Sequence, residues 1–301
     1  YESAHDVLRD ADIAMYLAKS EGKACYQIFD REMHQRVVKL QRLEVELRQA
    51  VERNEFILHY QPIVSLTNDG LVGFEALIRW NHPERGMVPP GEFIYAAEET
   101  GLIVPMGWWT LREACKQTKE WQMQHPGTTP LNISVNVSGK LFNQPDFVVA
   151  LRRILKDTKL PATSLRLEIT ESVLLDHADE SIAKLAELRK LGVGLHVDDF
   201  GTGYSSLSYL QKFNYDTLKI DRSFVQEVVD SDAIVQSIIT LGKLLGMNII
   251  AEGVETEDQL ERLRELECPQ VQGFWFSKPV DSTQAVELLT NPQAATAGHI
   301  M

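Results

Sequence analysis

Single polar residues lie within or directly after segments that are otherwise apolar and rich in β-branched residues. The segment 72–78 contains Glu75, and the pair Asp198-Asp199 directly follows the apolar segment 194–197. If these segments are neighbouring strands of a barrel, their polar residues converge on the mouth at the carboxyl ends of the strands, where barrel enzymes place their active sites. The full set is Glu75, Asn136, Glu168, Asp198, Asp199, Lys219, Glu252 and Gln272.

The carboxylates of this set predict a site for divalent cations. Two unit charges about 4 Å apart repel by roughly 4 kcal/mol at an effective dielectric constant of 20, so clustered acids need protons or cations. Oxygen ligands, including the amide carbonyl of Asn136, suit hard ions such as Mg²⁺ or Mn²⁺. The adjacent pair Asp198-Asp199 suits two bridged ions about 3.5–4 Å apart, as in phosphoester hydrolysis. Any one of these acids could equally cap a helix or form an ion pair.

Lys219 allows two interpretations. A lysine that forms a Schiff base, as in an aldolase, needs an apolar pocket that lowers its pKa. Surrounding carboxylates would instead keep the lysine charged, and it would then orient an attacking water or stabilise phosphate charge. We favour the second interpretation.

Three nearby features are ambiguous. The run 199–206 contains Gly201 and Gly203, but a dinucleotide-binding turn would require a glycine where Ser206 stands, so we expect a loop at the barrel mouth. His196 either supports the site or packs in the core. Trp80 either belongs to the core or lines the mouth.

The pattern of elements predicts a (β/α)₈ barrel, with a doubly wound open sheet as the alternative. Helical patterns separate most of eight short β-rich segments over about 240 residues. The connection 66–71 is too short for a crossover helix, so the first two strands should form a hairpin, which makes one strand antiparallel. The predicted strands are 56–64, 72–78, 133–137, 165–169, 194–197, 217–220, 249–251 and 271–274.

The residues before 54 form a different pattern. Positions 4–19 are amphipathic, 25–29 resemble a strand, and 33–53 form a charged helix with an apolar stripe from Val37 to Val51. That stripe indicates either an ordinary surface helix or a signalling linker that dimerises. We divide the chain into 1–32, a linker helix 33–53, a barrel 54–290 and a flexible tail 291–301.

Composition excludes several classes of protein. Hydrophobic residues make up 44% and charged residues 24% of the 301 residues, which is ordinary for a globular chain. The net charge of −13 argues against nonspecific binding to DNA, RNA or anionic membranes. The three cysteines, Cys25, Cys115 and Cys268, show no CxxC spacing, so we expect inert thiols in a reducing cytoplasm.

These motifs together resemble the EAL family of cyclic di-GMP phosphodiesterases over residues 38–290. The family pattern is matched by Gln61-Pro62, Glu75-Ala76-Leu77 with Arg79-Trp80, Asn136, Glu168 with Glu171, the run from Asp198 to Gly203, Lys219 with Asp221, Glu252 with Glu255, and the run from Gln272 to Pro279. The resemblance implies a modified TIM-type barrel with one antiparallel strand, and hydrolysis of cyclic di-GMP to linear pGpG.

The resemblance also implies roles for individual residues. Two Mg²⁺ or Mn²⁺ ions would be held by Glu75, Asn136, Glu168, Asp198, Asp199 and Glu252, with Lys219 positioning the water. Gln61, Arg79 and Gln272 would contact the substrate. Glu171, Gly201, Gly203, Asp221 and Glu255 would hold the loop or support the site. A receptor that binds cyclic di-GMP without cleaving it is the alternative.

The segment from Arg9 to Phe29 is similar to the carboxyl end of a GGDEF domain, although the GGDEF signature itself is absent. Since the chain begins at Tyr1 rather than Met, we expect that further sequence precedes it. The resemblance of the segment to a GGDEF domain implies an upstream GGDEF domain in the intact protein, and we also expect sensory domains there. We also expect a homodimer and a cytoplasmic location for this chain, with tethering of the intact protein to the membrane left open.

Overall fold

The computed structural model describes residues 26, 28–126, 131–171, 173, 178–201, 210, 212, 213 and 215–291, with scattered positions between 3 and 15. The chain separates into two compact units. The first contains Tyr1–Phe56 and Arg79–Pro105, and the second contains Ile57–Ile78 and Met106–Met301.

The second unit is built around a closed barrel. Its strands are β1 (Phe56–Ser65), β2 (Leu71–His82), β4 (Asn132–Asn136), β5 (Leu165–Thr170), β6 (Gly194–Phe200), β7 (Thr217–Ile220), β8 (Asn248–Glu252) and β9 (Gln270–Gln272), with β3 (Gly86–Val88) outside it. From β2 through β4 to β9 the neighbouring strands are parallel. β1 is antiparallel to β9 and also pairs with β2, which closes the barrel.

Alternation along the strands separates the core from the site. On β5, Leu165, Leu167 and Ile169 are fully buried, as a strand covered by helices requires. Arg166 and Glu168 lie on the opposite face, toward the barrel axis, because successive side chains point to opposite faces. The same alternation applies to Asn136, Lys219 and Glu252, which lie at or next to the carboxyl ends of β4, β7 and β8.

The helices of the second unit lie between or after the strands. They are α3 (Ile103–Gln124, whose first turn belongs to the first unit), α4 (Gly139–Phe142), α5 (Phe147–Thr158), α6 (Ala178–Leu191), α7 (Arg222–Gln226), α8 (Ala233–Leu245), α9 (Glu257–Glu265) and α10 (Ser282–Thr290). Local sequence sets several boundaries. Thr256 and Gln259 form a capping box at α9, and Gly246 ends α8 in a left-handed conformation.

The first unit contains α1 (Arg31–Arg53), α2 (Pro90–Thr100) and β3, which pairs with the end of β2. Asp30 caps α1 by accepting a hydrogen bond from the Met33 amide. Leu43 and Leu47 of the apolar stripe are buried within the chain. Trp80 is fully buried and donates to Glu55 Oε2 at 3.0 Å, which confirms the core interpretation.

The predicted barrel and its single antiparallel strand are confirmed. The predicted strands agree with the observed ones to within a few residues, except that β2 continues to His82. Strand β3 was not predicted. Cys115 and Cys268 are buried free thiols, and burial raises the pKa of each to about 12.

Some predictions lie outside the described residues. They are the predictions made for most of the residues before residue 28, including Cys25, and for the tail after residue 291. The predicted segment boundaries stay a prediction. Among the described residues, no helix has both the length and the apolar character needed to cross a membrane.

Candidate active site

The ammonium group of Lys219 lies at the centre of the candidate site. Its Nζ is 2.5 Å from a carboxylate oxygen of Glu252 and 2.6 Å from one of Glu168. It is also 3.3 Å from Asp198 and 3.5 Å from Glu75. The side chain is 1% exposed, so the barrel mouth contains one buried cation among four carboxylates.

The environment of Lys219 keeps it charged. Burial lowers the pKa of this lysine, but Asp198, Glu168 and the other two carboxylates outweigh burial, so that its pKa lies well above the usual value. A Schiff-base lysine needs the opposite shift. The structure therefore favours a charged Lys219.

Glu75 is held by two amide groups. Asn136 Nδ2 donates to Glu75 Oε1 at 2.6 Å, and Gln272 Nε2 donates to Glu75 Oε2 at 2.7 Å. Gln272 Nε2 also donates to Gln61 Oε1, while Gln61 Nε2 donates to the Ser277 carbonyl. Three of the predicted polar residues thus form one network that fixes the Glu75 carboxylate. This bond uses the Asn136 amide nitrogen and leaves its carbonyl oxygen, the atom that could bind a cation, out of the bond.

The carboxylates of the site resist ionisation. Burial raises the pKa of Glu168 despite its bond to Lys219. Burial and then the negative charge of Glu168 raise the pKa of Glu75. Burial also raises the pKa of Glu252 well above its usual value, because Lys219 offsets only part of the effect. One lysine cannot neutralise four acids, so further positive charge or protons would stabilise the site.

A bulge in β6 brings Asp198 and Asp199 to the same side of the strand. Val197 pairs with Leu218 and Phe200 with Ile220, so β6 has one more residue than β7 over this interval. In a regular strand Asp198 and Asp199 would point to opposite faces. The bulge and the left-handed conformation of Asp199, whose φ is 52°, relieve this constraint.

The donors of the site fit divalent cations. Asp198, Asp199 and Glu252 each offer one oxygen, and these atoms lie within 4.8 Å of one another. Glu168 Oε1 is buried and accepts no hydrogen bond from the described residues. Asp198 Oδ1 is also buried and lies 3.3 Å from Lys219 Nζ, without the geometry of a hydrogen bond. Buried carboxylate oxygens without a donor are costly unless something else neutralises them. Burial, Asp198 and Asp221 raise the pKa of Asp199, which also favours a bound cation.

Other predicted residues have local contacts. Asp221 caps α7 by accepting from the Ser223 amide at 2.9 Å. Glu255 forms an ion pair with Arg222 at 3.2 Å. Glu171 directly follows β5 and is half-buried. The supporting roles of Asp221, Glu171 and Glu255 stay predictions.

The loop after β6 is described only at its start. Gly201 has a φ of 99°, and a Cβ there would lie 2.9 Å from the Phe224 ring, so both conformation and packing require glycine. Gly203 lies outside the described residues. Arg79 is on β2, in the part of this strand that belongs to the first unit. Its contact with the substrate stays a prediction.

The sequence left the place of His196 open, and the structure puts this residue beside the acids. Its Nδ1 is buried and lies 3.7 Å from Glu168 Oε1. Burial and the positive charges of Lys219 and Arg166 lower the pKa of His196 to about 3, so it is neutral at pH 7. The strand period could have found it, since residue 196 shares a face with Asp198.

The raised pKa values predict how stability depends on pH in the metal-free protein. In EDTA, we expect the contribution of Glu75, Glu168 and Glu252 to the free energy of unfolding to be greatest below pH ~4.3, the unfolded pKa of Glu. This contribution should be lost as the pH rises through the higher folded pKa values, because the native state binds more protons. Urea denaturation from pH 5 to 8 measures it.

Glu252→Gln supplies the control for this prediction, because the variant removes one titrating group and keeps its shape. Its stability in EDTA should vary less between pH 5 and pH 8 than that of the parent protein. An equal variation in both proteins would show that the site acids do not cause it.

Comparison with known proteins agrees with this geometry. The family model described as EAL domain matches residues 44–279. The bifunctional diguanylate cyclase/cyclic di-GMP phosphodiesterase MucR of Pseudomonas aeruginosa is 44% identical over 286 residues, which cover 94% of this chain and 42% of MucR. The cyclic di-GMP phosphodiesterase PdeR of Escherichia coli is 36% identical over 277 residues, which cover 91% of this chain and 41% of PdeR.

A solved structure described as PaMucR Phosphodiesterase, c-di-GMP complex, is similar in fold, with a TM-score of 0.77 and 44% identity. The match covers 81% of this chain and 99% of that one. The chain spans about two fifths of the length of the curated relatives it matches. Since the family model covers most of the chain and the barrel carries its acidic residues in one cluster, the chain belongs to the EAL domain family.

Proposed function

We propose that this chain hydrolyses cyclic di-GMP to linear pGpG, and that the reaction requires two Mg²⁺ or Mn²⁺ ions. The observation that carries the proposal is the cluster of Glu75, Glu168, Asp198 and Glu252 around the buried Lys219. This cluster occurs in a member of a family with relatives named cyclic di-GMP phosphodiesterases. A cluster with excess negative charge is suited to binding cations. Bound cations would in turn attract the negative charge of a phosphodiester.

The same residues divide into two ligand sets. Glu75, Asn136, Glu168 and Asp198 would hold one cation, and Asp198, Asp199 and Glu252 would hold the other. When bound, the cations supply activation of the attacking water and neutralisation of phosphate charge. The proximity of Asp198, Asp199 and Glu252 supports the second set.

The protein's own side chains orient these groups. Lys219 stays protonated, and its N–H groups face the four carboxylates. We propose that one of these donors turns to the attacking water when cations hold the carboxylates. Asn136 and Gln272 hold the two oxygens of Glu75, so this carboxylate cannot rotate away. We propose that Gln61, Arg79 and Gln272 also contact the substrate, and the hydrogen bond from Gln272 to Gln61 supports placing these two residues in one site.

The relatives also suggest the context of this chain. MucR is named as both a diguanylate cyclase and a phosphodiesterase, and this chain matches 42% of it. This supports our proposal that the intact protein carries an upstream GGDEF domain, and we retain sensory domains, a cytoplasmic location and a homodimer as proposals.

Incubation of the purified chain with cyclic di-GMP, followed by chromatography of the nucleotides, tests the proposal. We expect pGpG in Mg²⁺ or Mn²⁺ and none in excess EDTA, with activity restored when the cation is returned. A second incubation with a non-cyclic phosphodiester dinucleotide tests preference for the cyclic substrate. Tight binding of intact cyclic di-GMP under all these conditions would support the receptor alternative instead.

A further inference from the structure

A cavity lies at the end of the barrel opposite the candidate active site. It has a volume of about 470 Å³, and residues at the amino ends of the parallel strands line it, including Asn132, Gly194, Thr217, Asn248 and Gln270. We call it the amino-end cavity. This volume is in the range of small-molecule sites, roughly 300–1,000 Å³.

The residues at this end explain why the barrel is open there. Barrel interiors are usually filled by layers of bulky branched side chains. Here the layer contains Gly194, Asn132, Asn248 and Gln270, which are small or polar. Gly194 makes room for Arg166, because a Cβ at residue 194 would lie 2.3 Å from Arg166 Cδ. The sequence therefore places a guanidinium group where a barrel would ordinarily place a hydrophobic side chain.

The charge of the cavity differs from that of the whole chain. Its ionisable residues are Arg166, Arg189, Asp216 and His196. Arg189 pairs with Asp216 at 2.9 Å. With histidine counted as neutral, as it is in the net charge of −13 for the whole chain, the lining has two positive charges and one negative charge, a net charge of +1.

Arg166 has hydrogen-bonding capacity that the described part of the protein does not use. Its Nη1 donates to the Thr163 and Leu165 carbonyls at 2.6 and 3.2 Å, and its Nη2 donates to Asn132 Oδ1 at 3.3 Å. A guanidinium has five N–H donors, so two remain. Within the described residues, no carboxylate lies within 4.0 Å of Arg166. These bonds hold the group in place without neutralising it.

We propose that the amino-end cavity binds a small molecule that carries a phosphate group on a hydroxyl-bearing body, with Arg166 as the anchor. A guanidinium recognises a phosphate through two parallel N–H···O bonds. Asn132, Asn248 and Thr217 offer amide and hydroxyl groups to the rest of the ligand. The carboxylates at the opposite end of the barrel repel such a ligand when no cation is present, so the two sites can be distinguished.

Calorimetric titration in EDTA tests this site with ribose 5-phosphate, inorganic phosphate and ribose. We expect ribose 5-phosphate to bind more tightly than inorganic phosphate, and ribose not to bind. Arg166→Gln should weaken the binding of ribose 5-phosphate about tenfold or more, because a charge-assisted bond is lost. Arg153→Gln, which changes an exposed arginine on α5, is the matched control and should bind normally.

A second variant tests the cavity without touching the arginine. Asn248→Phe fills the space, so it should abolish binding of ribose 5-phosphate even though Arg166 is present. Circular dichroism establishes that each variant is folded. The proposal is overturned if ribose 5-phosphate does not bind the parent protein, or if both folded variants bind it as the parent does.

Discussion

Lys219→Met is expected to lower the free energy of unfolding in EDTA by about 3–5 kcal/mol, the range found when one partner of a buried ion pair is removed. The variant leaves Glu75, Glu168, Asp198 and Glu252 without the ammonium group that lies 2.5–3.5 Å from them. Each of the three glutamates already has a raised pKa with the lysine present. Methionine has a similar length, so little volume is lost.

Cations should separate the structural and chemical roles of Lys219. In Mn²⁺ we expect the variant to recover part of its stability, because bound cations replace the missing positive charge. Hydrolysis of cyclic di-GMP should stay about 10²–10³-fold below that of the parent, since a positioned donor is missing. Urea denaturation with and without Mn²⁺, together with chromatography of the products, measures both effects.

Lys243→Met is the matched control for this prediction. Lys243 also lies 2.5 Å from a glutamate oxygen, that of Glu267, but the two side chains are 51% and 79% exposed. Exposed pairs contribute at most about 1 kcal/mol, so stability should change little. If the two variants lost equal stability, the account of Lys219 as the buried counterion would be wrong.

Glu168→Gln is expected to reduce hydrolysis of cyclic di-GMP by about a thousandfold. This carboxylate has one oxygen 2.6 Å from Lys219 Nζ and another, Oε1, that is buried and accepts no hydrogen bond from the described residues. The amide keeps the shape but removes the charge that would bind a cation. Metal ions stabilise the transition state by several kcal/mol, and each ~1.4 kcal/mol corresponds to a factor of ten in rate.

Initial rates over a range of Mn²⁺ concentrations test this prediction. The Mn²⁺ concentration needed for half-maximal activity should rise, since one ligand is weakened. Glu187→Gln, at an exposed position on α6, should behave as the parent protein. If Glu168→Gln kept its rate and its dependence on Mn²⁺, then Glu168 would not be a cation ligand.

The positions of the acids could be predicted because strand period and strand ends are local properties. A polar residue near the carboxyl end of an apolar strand in a parallel barrel lies at the mouth of the barrel. Glu75, Glu168 and Glu252 come from strands far apart in the chain, yet all three lie within 3.5 Å of Lys219. The charged state of this lysine follows from the same reasoning.

The details of ligand geometry could not be predicted in the same way. The bulge at Asp198-Asp199 depends on how β6 aligns with β7, which is a non-local property of the sheet. The network from Ser277 through Gln61 and Gln272 to Glu75 joins residues about 200 positions apart. Hydrogen bonds between such distant residues require coordinates.

The sequence by itself determined the family resemblance, the barrel with its antiparallel strand, and the residue types that gather at the mouth. These follow from periodicity, connection length and the chemistry of individual side chains. Only the tertiary structure decided that Asp199 joins Asp198 on one side of β6, that His196 lies beside Glu168, and that the barrel is open around Arg166. The reason is physical: packing, register and burial depend on residues that meet only when the barrel closes.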